Sequence, residues 1–170
     1  MLLLVRHAMP AYGPDVPPHA WTLSAEGWQA ARRLVGRLPG DARLVSSDEV
    51  KAWQTLGGDD AVTRDRRFGE VARVEPWEGG YRELRRAYVD GADHPGWEAR
   101  AEVAGRFDAG IIEQLALAGG RPLVVATHGM AMTVWVTARL GLDRPGAFWA
   151  DLRFPDAHLV DLASGTVERA

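Results

Sequence analysis

The sequence predicts an α/β fold with a mostly parallel central sheet, because short apolar runs typical of strands alternate along the chain with segments of helical periodicity. Two runs, Leu2–Val5 and Pro122–Thr127, are almost entirely apolar, as in strands that are buried on both faces of a sheet. Burial on both faces requires helices above and below, so we expect a three-layer sandwich. With 170 residues, the chain is expected to form a single domain over residues 1–170.

The elements of the first half follow from apolar spacing and from residues that start or stop helices. Ser24 is a suitable N-cap, and Pro39-Gly40 a stop signal, for a helix with apolar residues at helical spacing. Asp48 is expected to cap a second, shorter helix. The predicted order is the strand Leu2–Val5, the proline-rich loop Pro10–Ala20, the helix from Ser24 to Leu38, the strand Arg43–Val45, the helix from Asp48 to Thr55 and the polar loop Asp59–Arg67.

The second half begins with the segment Glu70–Gly96, whose glycine turns bound one short helix at Tyr81–Val89. Helical periodicity and strand-like apolar runs then alternate again. The tail has an alternating apolar and polar pattern, which predicts edge strands. The predicted order is the helix Trp97–Leu117, the strand Pro122–Thr127, a helix from Met130 to Leu140 that Gly141 closes, and edge strands within Ala147–Arg169.

The composition excludes several classes of protein. Hydrophobic residues make up 46% and charged residues 25% of the chain, and its net charge is −3, without the basic excess of a nucleic-acid-binding protein. No apolar run approaches the roughly 18 residues of a membrane span, so we expect a cytoplasmic protein with no membrane partner. The chain has no cysteine, which excludes disulfides, thiolate nucleophiles and cysteine zinc sites. The sequence carries no signal for an oligomeric state.

Two histidines follow the two most apolar strands. Arg6-His7 comes directly after Leu2–Val5, and His128 comes directly after the strand that ends at Thr127. If these strands are parallel neighbours, both imidazoles project at one edge of the sheet, where ligands bind in such folds. Arg6 and a helix starting near Met130 would add anion-binding groups there, which suits phosphoryl transfer. These residues alone leave open whether the histidines act on a substrate or bond to carbonyls of turns.

Three motifs together settle this choice by resemblance. The segments VRHAMP, SSDEVKAWQT and VVATHG, in this order, resemble the histidine phosphatase superfamily, which has a phosphoglycerate mutase-like fold. The resemblance implies that His7 is the nucleophile and becomes phosphohistidine. It also implies that Arg6 and His128 bind the phosphoryl oxygens, with His128 part of the catalytic set. No metal and no cofactor are implied.

The same resemblance implies a carboxylic acid that protonates the leaving group and later activates water. The segment RFGEVARVEPWEGG is similar to the part of the family that carries this acid, and Glu70 takes its place. The spacing from Glu70 to the Trp-Glu-Gly triplet is longer than the family pattern. Glu75 and Glu78 are therefore kept as alternatives.

Lys51 is a departure from the family pattern, which usually has arginine before A-x-Q-T. It is the only lysine among the 20 lysine and arginine residues of the chain. A lysine presents a point charge and cannot form the bidentate fork of arginine. Lys51 is interpreted as a phosphate ligand, and the alternative is that it marks a weakened site.

The resemblance implies a metal-independent hydrolase of phosphoric monoesters, of the histidine acid phosphatase type. The expected substrate is a small phosphorylated metabolite or a phosphoprotein. One alternative is a phosphotransferase of the phosphoglycerate mutase type. The other is a binding protein that keeps the pocket for a phosphorylated ligand but has weak or no turnover.

Overall fold

A computed structural model describes residues 1–75 and 79–170 and contains a six-stranded sheet in the order β3-β2-β4-β1-β5-β6. The four strands β3, β2, β4 and β1 run parallel, whereas β5 and β6 are antiparallel to their neighbours. The mostly parallel sheet predicted from the sequence is therefore confirmed. The strands are β1 (Leu2–Arg6), β2 (Arg43–Ser46), β3 (Thr63–Arg64), β4 (Leu123–Thr127), β5 (Asp156–Asp161) and β6 (Thr166–Arg169).

Helices cover both faces of the sheet, as the buried strands require. Along β1, Leu2 and Leu4 belong to one apolar core, while Leu3 and Val5 belong to a second core on the opposite face. This alternation follows from the two-residue period of a strand. The helices are α1 (Ala25–Val35), α2 (Val50–Thr55), α3 (Tyr81–Val89), α4 (Arg100–Ala118), α5 (Gly129–Leu140) and α6 (Pro145–Asp151), with short 3-10 helices at Pro18–Ala20 and Arg66–Phe68.

The register of the parallel strands determines which residues meet at the carboxyl edge of the sheet. Arg6 at the end of β1 is paired with Thr127 at the end of β4, and the amide of His7 donates to the Thr127 carbonyl over 2.9 Å. On the other side of β4, the amide of Ser47 donates to the Ala126 carbonyl over 2.9 Å. The residues that follow β1, β2 and β4 are thus brought to one edge of the sheet.

Two helix starts differ from the expectation. Ser24 caps α1 as predicted, since its Oγ accepts from the Gly27 amide over 3.0 Å. The prediction that Asp48 caps the second helix is wrong: the N-cap of α2 is Glu49, whose side chain makes no capping bond. The long helix α4 begins at Arg100 rather than Trp97, because the Trp97 amide instead closes a turn onto the His94 carbonyl.

The tail contains a helix that the alternating pattern concealed. Residues 147–151, predicted as part of an edge strand, belong to α6, which has Pro145 in its first turn. Phe148 and Leu152 are four residues apart, a spacing that is compatible with one helix face as well as with a strand. The tail also forms the strands β5 and β6, but the prediction of edge strands is correct only for β6, because β5 is paired with β1 on one side and β6 on the other. The two-residue strand β3 lies in the segment predicted as a loop, and it is too short to show a period.

A pair of glycines in α4 provides a test of packing beside the site. A Cβ at Gly110 would lie 2.7 Å from the Phe68 ring, which is fully buried against Phe107, whereas a Cβ at Gly105 would meet nothing within 4 Å. We expect Gly110→Ala to lower the free energy of unfolding by about 1–3 kcal/mol through overpacking. Gly105→Ala should raise it by about 0.5–1 kcal/mol through helix propensity. Urea unfolding of both variants checks this, and equal shifts would contradict the packing.

Candidate active site

His7 lies in the first turn after β1 with only 7% of its surface exposed. Its Nδ1 bonds to the Ala8 carbonyl over 2.8 Å. Because a carbonyl only accepts, Nδ1 carries the proton and Nε2 keeps its lone pair. Burial, together with the charge of Lys51 and the neighbouring His128, holds the pKa of His7 well below its usual range. His7 is therefore a neutral imidazole with a free nucleophilic nitrogen.

His128 follows β4 and is completely buried, with its ring centroid 5.1 Å from that of His7. Its Nε2 lies 2.7 Å from Ser47 Oγ and 3.2 Å from Glu49 Oε1. Its Nδ1 has no hydrogen-bond partner within residues 1–75 and 79–170. Burial lowers the pKa of His128, which is neutral in the free protein. The nitrogen without a partner is the one available to a ligand.

Arg6 lies against Gly129, where a Cβ would approach Arg6 Nε to 3.3 Å, so this close contact favours glycine. Arg6 Nη1 donates to the Leu152 carbonyl over 2.7 Å, and the guanidinium carbon is 3.5 Å from the centroid of the Phe154 ring. Its buried Nε has no partner in the described part of the chain. Burial lowers the pKa of Arg6 to about 10, so the side chain is still a cation at neutral pH.

Lys51 lies in α2, and its ammonium group makes two contacts that the sequence motif did not predict. Its Nζ donates to the Pro18 carbonyl over 2.7 Å and forms an ion pair with the Glu49 carboxylate. The first contact ties the proline-rich loop to the site. Lys51 is 4% exposed, so this charge is buried and paired. Two of the three donors of the ammonium group are thus engaged, and one is left for a ligand.

Glu49 is the site residue that the sequence reasoning missed. Its Oε1 accepts from the Glu70 amide over 2.9 Å and faces His128, while its Oε2 faces Lys51. Burial would raise the pKa of Glu49, but the neighbouring His128 ring, the Lys51 ammonium and the hydrogen bonds that Glu49 accepts outweigh it and lower the pKa to about 2. A glutamate at the start of a predicted helix is normally exposed to solvent, so no signal in the sequence marked this position.

Glu70 lies at the N-terminus of α5, beside His128. Its Oε1 accepts from the amides of Val71 and Ala131, each over 3.0 Å. Burial would raise the pKa of Glu70, but the positive charge of Arg73 and these amide donors lower it below its ordinary value. Glu70 is therefore a carboxylate in the free protein.

Of the two alternative acids, Glu75 and Glu78, the structure describes only Glu75. Glu75 is bound in an ion-pair cluster, with its Oε1 2.9 Å from Arg73 Nη2 and its Oε2 2.9 Å from Arg85 Nε. Glu78 lies outside the described residues. Among the candidates that the structure describes, Glu70 is the carboxylate that lies against the helix start following His128.

The fold and the site define an α/β protein with two buried histidines at the carboxyl edge of a parallel sheet. The chain belongs to branch 1 of the histidine phosphatase superfamily, whose family model matches residues 2–165. Together with the solved structures that resemble it, this membership indicates an enzyme of the phosphatase or phosphotransferase type. A search of curated protein sequences gives no match.

Solved structures resemble the chain over nearly its whole length. A native mycobacterial glucosyl-3-phosphoglycerate phosphatase is 26% identical with a TM-score of 0.64, covering 92% of this chain and 87% of its own. Its complex with inorganic phosphate is 25% identical with a TM-score of 0.66, covering 99% and 94%. YhfR of Bacillus stearothermophilus, at 20% identity and a TM-score of 0.70, covers 99% and 94% and shares the fold.

Within 1–75 and 79–170, no helix combines the length and apolarity needed to cross a bilayer. Across the same residues, no group of three or more histidine, aspartate or glutamate side chains is arranged to hold a metal ion.

Proposed function

We propose that the protein hydrolyses phosphate monoesters through a covalent phosphohistidine on His7. The observation that carries this proposal is the hydrogen bond from His7 Nδ1 to the Ala8 carbonyl, which leaves Nε2 as a neutral, buried nucleophile. A histidine that is neutral at physiological pH needs no separate base before it attacks phosphorus.

The groups around His7 suit a phosphoryl group. Arg6 Nε and His128 Nδ1 are buried without a partner among the described residues, and such groups favour a ligand that satisfies them. The third donor of Lys51 and the N-terminus of α5 add positive potential. Together they would stabilise the negative charge on the equatorial oxygens in the transition state.

The proposed reaction has two displacements. In the first, His7 Nε2 forms a bond to phosphorus as the bond to the ester oxygen breaks, and a protonated Glu70 gives its proton to the leaving alcohol. In the second, the Glu70 carboxylate takes a proton from water as the oxygen of that water attacks phosphorus. The bond from phosphorus to His7 then breaks, which releases inorganic phosphate and returns Glu70 to its acid form.

The expected substrate is a small phosphorylated metabolite or a phosphoprotein. The structural neighbour with 26% identity is a glucosyl-3-phosphoglycerate phosphatase, which supports a phosphorylated metabolite. Arg82 and Arg85 on α3 are close enough to Arg6 to lower its pKa through their charge. The positive charge of Arg82 and Arg85 favours an ester that carries negative charge in addition to its phosphate.

The proposal is tested by measuring phosphate release over a panel of phosphorylated metabolites and phosphoproteins. We expect stoichiometric inorganic phosphate from at least one small ester. Formation of an isomeric phosphate ester without free phosphate would instead indicate a phosphotransferase of the mutase type. Tight binding of phosphate without any turnover would indicate a binding protein with a weakened site.

Replacement of Lys51 by methionine keeps an unbranched side chain of nearly the same length and removes the charged ammonium. We expect kcat/KM to fall about 10- to 100-fold, as for loss of a hydrogen bond to a charged group, and the unpaired Glu49 carboxylate to repel the substrate. Steady-state kinetics check this. Lys51→Arg is the matched control, because it keeps the charge. Unchanged kcat/KM in Lys51→Met would contradict a role in phosphate binding, and a large rate gain in Lys51→Arg would favour the weakened site.

A further inference from the structure

The two ring nitrogens of His128 have different surroundings, although both are buried. Nε2 faces two oxygens, Ser47 Oγ at 2.7 Å and Glu49 Oε1 at 3.2 Å. Nδ1 faces no protein partner in the described residues. The Ser47 oxygen also accepts from the Glu49 amide over 3.3 Å, so Ser47 and Glu49 form one unit behind the ring.

The Glu49 side chain is a fixed anion in this unit. It is 13% exposed, its Oε2 is paired with Lys51, and its Oε1 accepts from the Glu70 amide. A carboxylate oxygen next to Nε2 favours a proton on that nitrogen. A neutral His128 with its proton on Nε2 has a lone pair on Nδ1, and this lone pair would repel a phosphoryl oxygen.

We propose that Glu49 is a positioning residue that keeps the proton on His128 Nε2 and stabilises the imidazolium formed when a phosphoryl group binds. The inference rests on the proposed function, since it requires that group in this pocket. On binding, Nδ1 takes one proton from solvent and donates it as a hydrogen bond to a phosphoryl oxygen. No bond of the substrate is made or broken in this step.

Several charged or titratable groups face His128, and Glu49 is distinguished from the others by contact. Lys51 and Arg73 oppose a positive charge on His128, whereas Glu49 and Glu70 favour it. The Glu70 oxygens are bound to backbone amides, and Glu49 is the carboxylate within hydrogen-bond distance of Nε2. These groups come from three parts of the chain that pack around His128. They are His7 after β1, Glu49 and Lys51 at the start of α2, and Glu70 and Arg73 in the segment after Phe68.

The test is a titration of the full-length protein with inorganic phosphate near neutral pH, followed by NMR of ¹⁵N-labelled histidine rings. A His128→Gln variant identifies the His128 signals. We expect one protonated ring nitrogen in the free protein and two at saturation. In Glu49→Gln, we expect about tenfold weaker phosphate binding and one nitrogen that stays unprotonated.

Asp48→Asn is the matched control, because it removes the same charge from the neighbouring residue, which is exposed. This variant should bind phosphate and gain the second proton as the wild type does. Glu49→Asp, which keeps the carboxylate, should retain more of the second protonation than Glu49→Gln. If Glu49→Gln does not fold, the wild-type titration and Glu49→Asp still decide the question.

The inference is overturned if His128 stays neutral in the phosphate complex of the wild type. It is also overturned if Glu49→Gln gains both protons at unchanged affinity. Both results would leave the pocket intact, because the phosphate would still perturb the signals of His7 and His128. Phosphate that perturbs neither histidine would contradict the proposed pocket itself, and the role of Glu49 with it.

Discussion

His7→Ala is expected to lower kcat for phosphate release by about 10⁴-fold or more, because the covalent route is lost while the phosphate ligands remain. The neighbouring Arg6 and His128 make their contacts to other groups, so the pocket should still bind inorganic phosphate. Loss of turnover with retained phosphate binding is the signature of a missing nucleophile. Steady-state phosphate release and equilibrium phosphate binding measure the two quantities.

His19→Ala is the control for this prediction. His19 lies in the exposed 3-10 helix of the proline-rich loop, and removal of an exposed side chain usually has little effect. Its kcat should match that of the wild type. Turnover by His7→Ala at the wild-type rate would rule out a phosphohistidine at this position.

Glu70→Gln is expected to slow turnover about 100- to 10,000-fold, the usual contribution of general acid-base catalysis. The two displacements respond differently to the loss. Formation of the phosphoenzyme from p-nitrophenyl phosphate needs no acid, because the leaving phenolate is already stable. Hydrolysis of the phosphoenzyme still lacks its base, so a burst of p-nitrophenolate should be followed by slow turnover in a rapid-mixing experiment.

The lowered pKa of Glu70 also sets the expected pH dependence. In the free protein its carboxylate is ionised at neutral pH, which suits the base step and disfavours the acid step. As the pH falls, the protonated fraction rises and phosphorylation by esters of poor leaving groups should accelerate. Burial also lowers the pKa of His7, so the nucleophile stays neutral to a lower pH than an ordinary histidine would. For p-nitrophenyl phosphate, this acceleration of the phosphorylation step should be absent.

Glu75→Gln separates the two carboxylates that the structure describes. Glu75 is paired with Arg73 and Arg85, so its loss should alter the cation cluster without trapping a phosphoenzyme. A burst followed by slow turnover in Glu75→Gln, and normal turnover in Glu70→Gln, would transfer the acid role to Glu75.

The sheet was predictable from the sequence because each of its two central strands is a continuous apolar run, which can be identified without knowledge of the rest of the chain. Leu2–Val5 and Leu123–Thr127 are buried on both faces and are therefore apolar at every position except Thr127. The helix α6 was not predictable, since seven residues after a proline contain too few apolar positions to separate a helical period from a strand period. The Asp48 cap failed for a related reason, because two acidic residues in succession are equivalent candidates until the backbone shows where the helix starts.

The sequence predicts that Arg6, His7 and His128 lie close together, provided that β1 and β4 are parallel neighbours. That register places the residues after both strands at one edge. The position of Glu49 depends on contacts to residues from other parts of the chain, His128 and the Glu70 amide. No local pattern encodes these contacts, and the same holds for the amides of α5 that bind Glu70.

The most direct test of phosphohistidine catalysis is trapping of the intermediate. The wild-type, Glu70→Gln and His7→Ala proteins are each mixed with ³²P-labelled p-nitrophenyl phosphate, whose leaving group needs no acid. Each mixture is quenched within one turnover in alkaline denaturant that preserves phosphohistidine, and the protein is digested for peptide mapping. We predict label on the peptide that carries His7, at nearly one equivalent in Glu70→Gln and none in His7→Ala. Rapid release of phosphate with no label on the His7 peptide at any time would contradict the account.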